Sequence, residues 1–281
     1  VFTNRDAVHA AISEDDGATW LGFRELRLNP LRNDSDYAER AERDLSVHQS
    51  QVLELTEEGK ILISHGQDEE VRALLIFDVD WLYESSRSCR FENGLDDWST
   101  FKFHDEIRGH CAHNRNPGPV LIPHPDIEER RVLHLQHTID DRFAHDVDGA
   151  VWNFPAAKSG SVKTRFRLQT GGKGISIRLL DRWVNPSDPH VGTYANYELT
   201  IPGDGRLSPD VVLTLGKWHD IELYWSDVSS GACHILVDGQ ETNVSLPLNQ
   251  PSRHGISYVH FQASEDEDPH GTLIESVNAR K

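Results

Sequence analysis

The chain has 281 residues, 37% of them hydrophobic, which is enough for two ordinary domains that each bury a core. Its 28 lysines and arginines face 46 aspartates and glutamates, a formal net charge of -18 that repels phosphate backbones and anionic surfaces and argues against nucleic acid as a partner. No stretch approaches the roughly 20 consecutive apolar residues of a membrane-spanning helix, so no membrane span is expected.

Taken in chain order, the first third predicts short strands separated by turns: Ala7 to Ser13, Leu21 to Leu28, Gln51 to Leu55, Ile61 to His65 and Ala73 to Phe77. The polar stretch Asn29 to Asp44 carries too little apolar surface to fix a helix and reads as a long loop. Its acids Asp34, Asp36 and Glu39 are expected to be a solvated surface. From Tyr83 to Asp126 the chain turns irregular, broken by Gly94, Gly109, Pro117, Gly118, Pro119, Pro123 and Pro125. Beyond it, alternating segments recur at Val132 to His137, Ser161 to Leu168, Gly174 to Leu180, Tyr197 to Ile201, Trp218 to Trp225, Cys233 to Val237, Ser257 to Gln262 and Leu273 to Val277. Eight strands with turn signals predict a two-sheet sandwich, and Asp238-Gly239 marks a tight hairpin within it.

Between the first two strands lies Ser13-Glu14-Asp15-Asp16-Gly17-Ala18-Thr19-Trp20, which fits S-x-D-x-G-x-T-W at every specified position. Each of these residues has a task in a turn. The oxygens of Ser13 and Asp15 accept from turn N–H groups, Gly17 takes a left-handed conformation, and Trp20 packs its ring beneath the turn. This motif is an Asp-box, or BNR repeat, and the chain resembles the C-terminal part of the sialidase-like β-propeller glycoside hydrolases. The resemblance continues into the strands Ser46 to Leu55, Gly59 to Ser64 and Leu74 to Phe77, similar to three strands of a following blade.

The resemblance implies an all-β protein in which residues 1–84 are the last blades of a propeller, 85–130 an irregular linker and 131–281 a β-sandwich. A closed propeller needs at least four blades of four strands. An upstream segment or a second chain is therefore expected to complete it and to carry most of the catalytic residues. The implied activity is exo-hydrolysis of terminal sugars on a glycan, in a secreted or periplasmic setting. In this family the Asp-box sits on the propeller's periphery and performs no catalysis. The strand entry facing the axis before Gln51 makes Arg43, His48 and Gln49 expected substrate contacts, with Gln51 nearby, and His65 and Gln67 at the end of the next strand join them, where Gly66 lets the backbone approach a ligand closely. Arg24 and Glu25 alternate onto opposite faces, for an ion pair or for contact with an anionic sugar.

The segments Lys217 to Leu223 and His234 to Gly239 are similar to paired strands of laminin G and concanavalin A-like sandwiches. Such modules often bind carbohydrate, and Trp152, Trp183, Tyr194 and Tyr197 are rings that could stack on sugars. No cofactor is required, but Asp140-Asp141, Asp146 to Gly149 and Glu265 to Asp268 offer clustered oxygens suited to a structural calcium. For zinc, only the loop pair His110 and His113 has workable geometry, because residues i and i+3 of a strand face opposite sides. Cys89, Cys111 and Cys233 form no metal spacing, and a bridge between Cys89 and Cys111 is open. Against the hydrolase stands a non-catalytic carbohydrate-binding or surface adhesion protein, since fold does not specify function.

Overall fold

The computed structural model describes residues 6–33, 47, 50–55, 58–66, 69, 72–103, 115–139 and 147–281. Strands β1 (Ala7–Ile12) and β2 (Leu21–Leu28) form an antiparallel hairpin. Strands β3 (Gln51–Leu55), β4 (Lys60–His65) and β5 (Ala73–Asp78) form a three-stranded antiparallel meander. A 3-10 turn over Val79–Tyr83 then leads into β6 (Ser86–Cys89), β7 (Trp98–Ser99), β8 (Lys102–Phe103), β9 (Arg115–Asn116) and β10 (Val120–Pro123). The rest of the chain supplies β11 (Arg131–His137), β12 (Gly149–Ala157), β13 (Gly160–Leu168), β14 (Gly174–Leu180), β15 (Tyr197–Pro202) and β16 (Arg206–Ser208). It ends with β17 (Val211–Val212), β18 (His219–Trp225), β19 (Cys233–Val237), β20 (Gln240–Leu246), β21 (Ile256–Ala263) and β22 (Asp268–Arg280).

Two sheets pack face to face. The larger runs β10-β11-β22-β13-β18-β19-β20, with β6 paired to the C-terminal half of β22, and the smaller runs β15-β14-β21-β12-β7. Alternation builds the core. On β13, Val162, Thr164, Phe166 and Leu168 are buried while Lys163 is exposed and Arg165 and Arg167 are half-buried. Facing them from the smaller sheet are Trp152, Phe154, Ile177, Leu179 and Phe261. Trp98 stacks on Trp152 with ring centroids 5.9 Å apart, which pins β7 to β12.

The outer face of the smaller sheet is covered as well. Trp183, Val184, Val191 and Ala195, from the loop after β14, bury Val151, Leu180 and Tyr258. The loop approaches closely enough that a Cβ on Gly149 would stand 1.7 Å from the Pro186 carbonyl oxygen. The β1-β2 hairpin covers the neighbouring area. Asn153 donates to the Phe23 carbonyl at 3.3 Å and accepts from the Glu25 amide at 3.0 Å, while His9 meets the Tyr258 hydroxyl at 2.5 Å. Arg32 extends from the end of the hairpin to the carbonyls of Leu95, Asp96 and Trp98, and Asn33 bridges Trp98 and Thr100.

The Asp-box turn has the expected hydrogen bonds. Ser13 Oγ accepts from the Gly17 amide at 2.7 Å, and Asp15 accepts from the Thr19 amide and hydroxyl, both at 2.7 Å. Gly17 is left-handed at φ 87°. Trp20 departs from the expectation: its ring lies beside Gly17 but remains 44% exposed. The expected last blades are represented among the described residues by a two-stranded and a three-stranded sheet, neither of which is a four-stranded blade.

Residues 85–130, expected as an irregular linker, contribute β6, β7 and β10 to the sandwich sheets. Their prolines and glycines punctuate short edge strands instead of excluding them. Strand β12 escapes prediction because it is buried on both faces and therefore has no alternation to detect. At Asp238 and Gly239, φ values of 51° and 80° give the hairpin turn that the sequence marks.

Glu25 lies where the hairpin meets the sandwich, beside Tyr258, Arg32 and Arg87, and burial pushes its carboxyl up to about 7. A folded pKa above the unfolded value means that the native state holds the proton more tightly, so this group's contribution to stability falls as pH rises from about 4.5 to 7. Glu25→Gln is therefore expected to match the parent near pH 4.5 and to exceed it by on the order of 1–3 kcal/mol above pH 7. Urea unfolding at the two pH values checks this, and a difference independent of pH would contradict it.

Candidate functional site

With both faces of the smaller sheet covered, the polar side chains that remain open collect on the outer face of the larger sheet. Strand register sets them in rows. In one row Arg165 of β13 stands opposite Asp220 of β18 on one side and Ser276 of β22 on the other. In the next, Lys163 lies between Glu222 and Asn278, and the row continues through Asn278 to Ser88 on β6 and through Glu222 to Leu236 and Glu241. The third places Ser161 between Tyr224 and Arg280, with Tyr224 opposite His234. All of this follows from period-two alternation, since the partners of each outward residue also point outward.

The charges on this face are cross-linked. Asp220 receives Lys163 Nζ at 2.9 Å and Arg165 at 3.3 Å, and Arg165 also reaches Glu275 at 2.7 Å. Arg280 spans Ser161 Oγ at 3.1 Å and Glu222 at 2.9 Å. These bonds hold long side chains in fixed positions, at a net energy of at most about 1 kcal/mol per exposed pair. Two clefts lie between the rows. One, of about 490 Å³, is lined by Ser88, Arg90, Lys163, Arg165, Asp220 and Asn278, and the other, of about 520 Å³, by Ser161, Glu222, Tyr224, Glu241 and Arg280 among others. The Tyr224 ring stacks on His234 with centroids 5.1 Å apart. Beyond the Arg165 row, Trp218 stacks on His124 at 4.9 Å and donates its indole N–H to Asp126 at 2.7 Å.

Chemically the face offers paired donors and acceptors at fixed spacing and a partly exposed aromatic ring. It can hold a flat, hydroxyl-rich molecule by many polar contacts.

The residues singled out from the sequence fall elsewhere. Arg43, His48, Gln49 and Gln67 lie outside the described residues, as do Asp34, Asp36, Glu39, His110, Cys111, His113, Asp140, Asp141 and Asp146. Gln51 is exposed at the start of β3. His65 is corrected from a surface contact to an interior residue: at 1% exposure on β4, burial together with the charge of Arg27 lowers its pKa. Arg24 and Glu25 do point to opposite sides. Arg24 is buried over the Trp81 ring at 4.0 Å and paired with Glu84 at 2.6 Å, which is a structural position.

Trp152 and Tyr197 are core residues at 0% exposure, Trp183 is buried in the separate loop cluster on the outer face of the smaller sheet, and Tyr194 packs against that cluster. Being buried, Trp152, Trp183 and Tyr197 are not stacking platforms. Asp148 is engaged by Lys102 at 2.9 Å and by the Gln136 amide, and Asp268 by the amides of Lys173, His270 and Gly271. Among the described residues no group of three metal-ligating side chains comes together. Cys89 is a free thiol that accepts from the Trp98 indole at 3.3 Å. The strand Trp218 to Trp225 was expected from its alternation, but no role was assigned to its outward positions Asp220, Glu222 and Tyr224, which form one face of β18.

No protein-family model and no curated protein sequence matches the chain. Among solved structures, peanut lectin with a nine-residue peptide is 11% identical, with 69% of this chain aligned to 95% of the lectin at a TM-score of 0.42. The metal-free form of lectin I-B4 from Griffonia simplicifolia is 10% identical over 70% of this chain and 98% of its own, at 0.41. A carbohydrate esterase from a Shiga toxin-encoding bacteriophage is 12% identical over 69% and 96%, at 0.40. Likenesses this distant say nothing of ligand or activity, and the two-sheet architecture stands on the strand pairing of this chain.

Because these outer-face pairs join exposed cations to half-buried carboxylates, Lys163→Met and Glu222→Gln are each expected to change unfolding free energy by about 1 kcal/mol or less. Trp152→Ala, which empties the core, is expected to cost about 3–5 kcal/mol. Urea denaturation compares the three, and an outer-face loss as large as that of Trp152→Ala would show that the rows hold the fold together.

Proposed function

We propose that this chain is a non-catalytic carbohydrate-binding protein whose glycan lies on the outer face of the larger sheet. The observation that carries this is the set of rows through Arg165, Lys163 and Ser161, in which cations, carboxylates, an amide and hydroxyls alternate beside the ring of Tyr224. Sugar hydroxyls are both donors and acceptors, and a pyranose presents an apolar C–H face to an aromatic ring. A surface that interleaves both kinds of partner with a ring meets both needs. Adhesion to a glycosylated surface is the corresponding biological role, and a secreted or periplasmic setting fits it.

The second reading is that of a part of a sialidase-like exo-glycoside hydrolase acting on terminal sugars. It is favoured by the Asp-box turn, whose Ser13, Asp15 and Thr19 hydrogen bonds follow the motif. On that reading an upstream segment or a second chain completes a propeller and carries most of the catalytic residues, with Arg43, His48, Gln49 and Gln67 as contributors from this chain.

A glycan array probed with the parent chain and with Tyr224→Ala separates the readings. The binding protein is expected to retain glycans that the variant loses by about tenfold or more, equivalent to about 1.4 kcal/mol. Release of fluorophore from terminal-sugar substrates by the chain assembled with the segment or partner that completes a propeller, and not by this chain alone, would instead favour the hydrolase, and binding equal for parent and variant would exclude the larger sheet as the glycan surface.

A further inference from the structure

We infer that the ligand of this face is a neutral, linear glycan several sugars long, lying across the strands from β6 to β20, and not a single terminal sugar; the inference rests on the carbohydrate-binding reading. Three observations carry it.

The first is extent. The row through Ser88, Asn278, Lys163, Glu222, Leu236 and Glu241 crosses six strands without interruption. Five interstrand steps of about 4.8 Å make it roughly 24 Å long. A pyranose unit in a chain repeats on a length close to one such step, so the row holds on the order of five sugars, one per step.

Continuity is the second. The two clefts lie in series along this face, of about 490 and 520 Å³. They adjoin where Lys163 of the first stands opposite Glu222 of the second, and where Asn278 and Arg280 project from the same side of β22. A terminal-sugar site is closed at one end by the group that reads the chain terminus, whereas here the row leads from one cleft into the other.

The third is charge. Arg90, Lys163, Arg165, Arg280 and Lys281 line the two clefts together with Glu92, Asp220, Glu222 and Glu241, so five cations face four carboxylates. The carboxylate of Asp220 is shared by two of those cations, and that of Glu222 is held by a third. In a chain of net charge -18, a sialylated, uronate-rich or sulfated glycan gains little from a near-neutral cleft and is repelled by the remainder of the surface. A neutral chain bears no such cost.

The test is calorimetric titration of the whole chain with neutral gluco-, xylo- and manno-oligosaccharides of one to six units, alongside sialyllactose and a sulfated oligosaccharide. For at least one neutral series, affinity is expected to rise stepwise to about five units and then level off, with little change on adding salt. Asn278→Ala, from one cleft, and Tyr224→Ala, from the other, are each expected to weaken the hexasaccharide by about tenfold, with circular dichroism confirming the fold of each variant. A monosaccharide bound as tightly as its hexasaccharide, or anionic glycans bound in preference to every neutral series, would overturn the inference while leaving the carbohydrate-binding reading standing. If no glycan of any class binds, both fall.

Discussion

Asn153, Arg178, Tyr258 and His260 project from the outer face of the smaller sheet, and all four are buried. A polar group so placed costs about 1–3 kcal/mol if it lacks a partner, and the chain meets this constraint with two covers. The loop after β14 supplies the Pro186 carbonyl to the His260 ring at 2.7 Å, while Arg178 is held by Glu198 at 2.6 Å and Gln262 at 2.7 Å. The β1-β2 hairpin supplies the backbone partners of Asn153 and the side chains that meet Tyr258. Burial beside Arg178 keeps His260 neutral, its pKa lowered to about 3. Because the unfolded imidazole titrates near 6.5, this group's share of stability is lost as pH falls from about 6.5 toward 3.

On the proposed carbohydrate-binding reading, that arrangement sets which face receives the glycan. A sheet covered on both faces is a structural element, so the smaller sheet and the hairpin make the foundation, and the larger sheet, covered on one face only among the described residues, presents the open face. The Asp-box turn belongs to the foundation. Its hydrogen bonds shape the tip of the hairpin that Asn153 ties down, and the carboxylate of Asp15 is engaged by Thr19 and Ser13. The larger sheet's outer face carries ion pairs between exposed cations and half-buried or buried carboxylates, which hold donors and acceptors in place.

Much of the strand layout was legible in the sequence. Leu21–Leu28, Gln51–Leu55, Gly174–Leu180 and Cys233–Val237 occur as expected, because one covered face imposes alternation or because turn residues bound the run. What stayed hidden has physical reasons. β12 has no alternation to show, and the Asp268–Gly271 start of β22 reads as a turn because its acid accepts backbone N–H groups locally. The site was less legible than the fold. Aromatic residues drew attention to Trp152 and Tyr197, which composition cannot distinguish from exposed rings, while Lys163, Glu222 and Asn278 acquire meaning only once register sets three distant strands side by side.

On the carbohydrate-binding reading, the outer face of the larger sheet, and no other surface among the described residues, receives the ligand. Backbone amide chemical-shift mapping of the chain during titration with a neutral hexasaccharide tests it most directly. Perturbations are expected to concentrate on β13, β18 and β22 at Lys163, Glu222, Tyr224 and Asn278, with the Asp-box turn and the loop after β14 unmoved. Perturbations centred on Ser13 to Trp20, or on that loop, would contradict it.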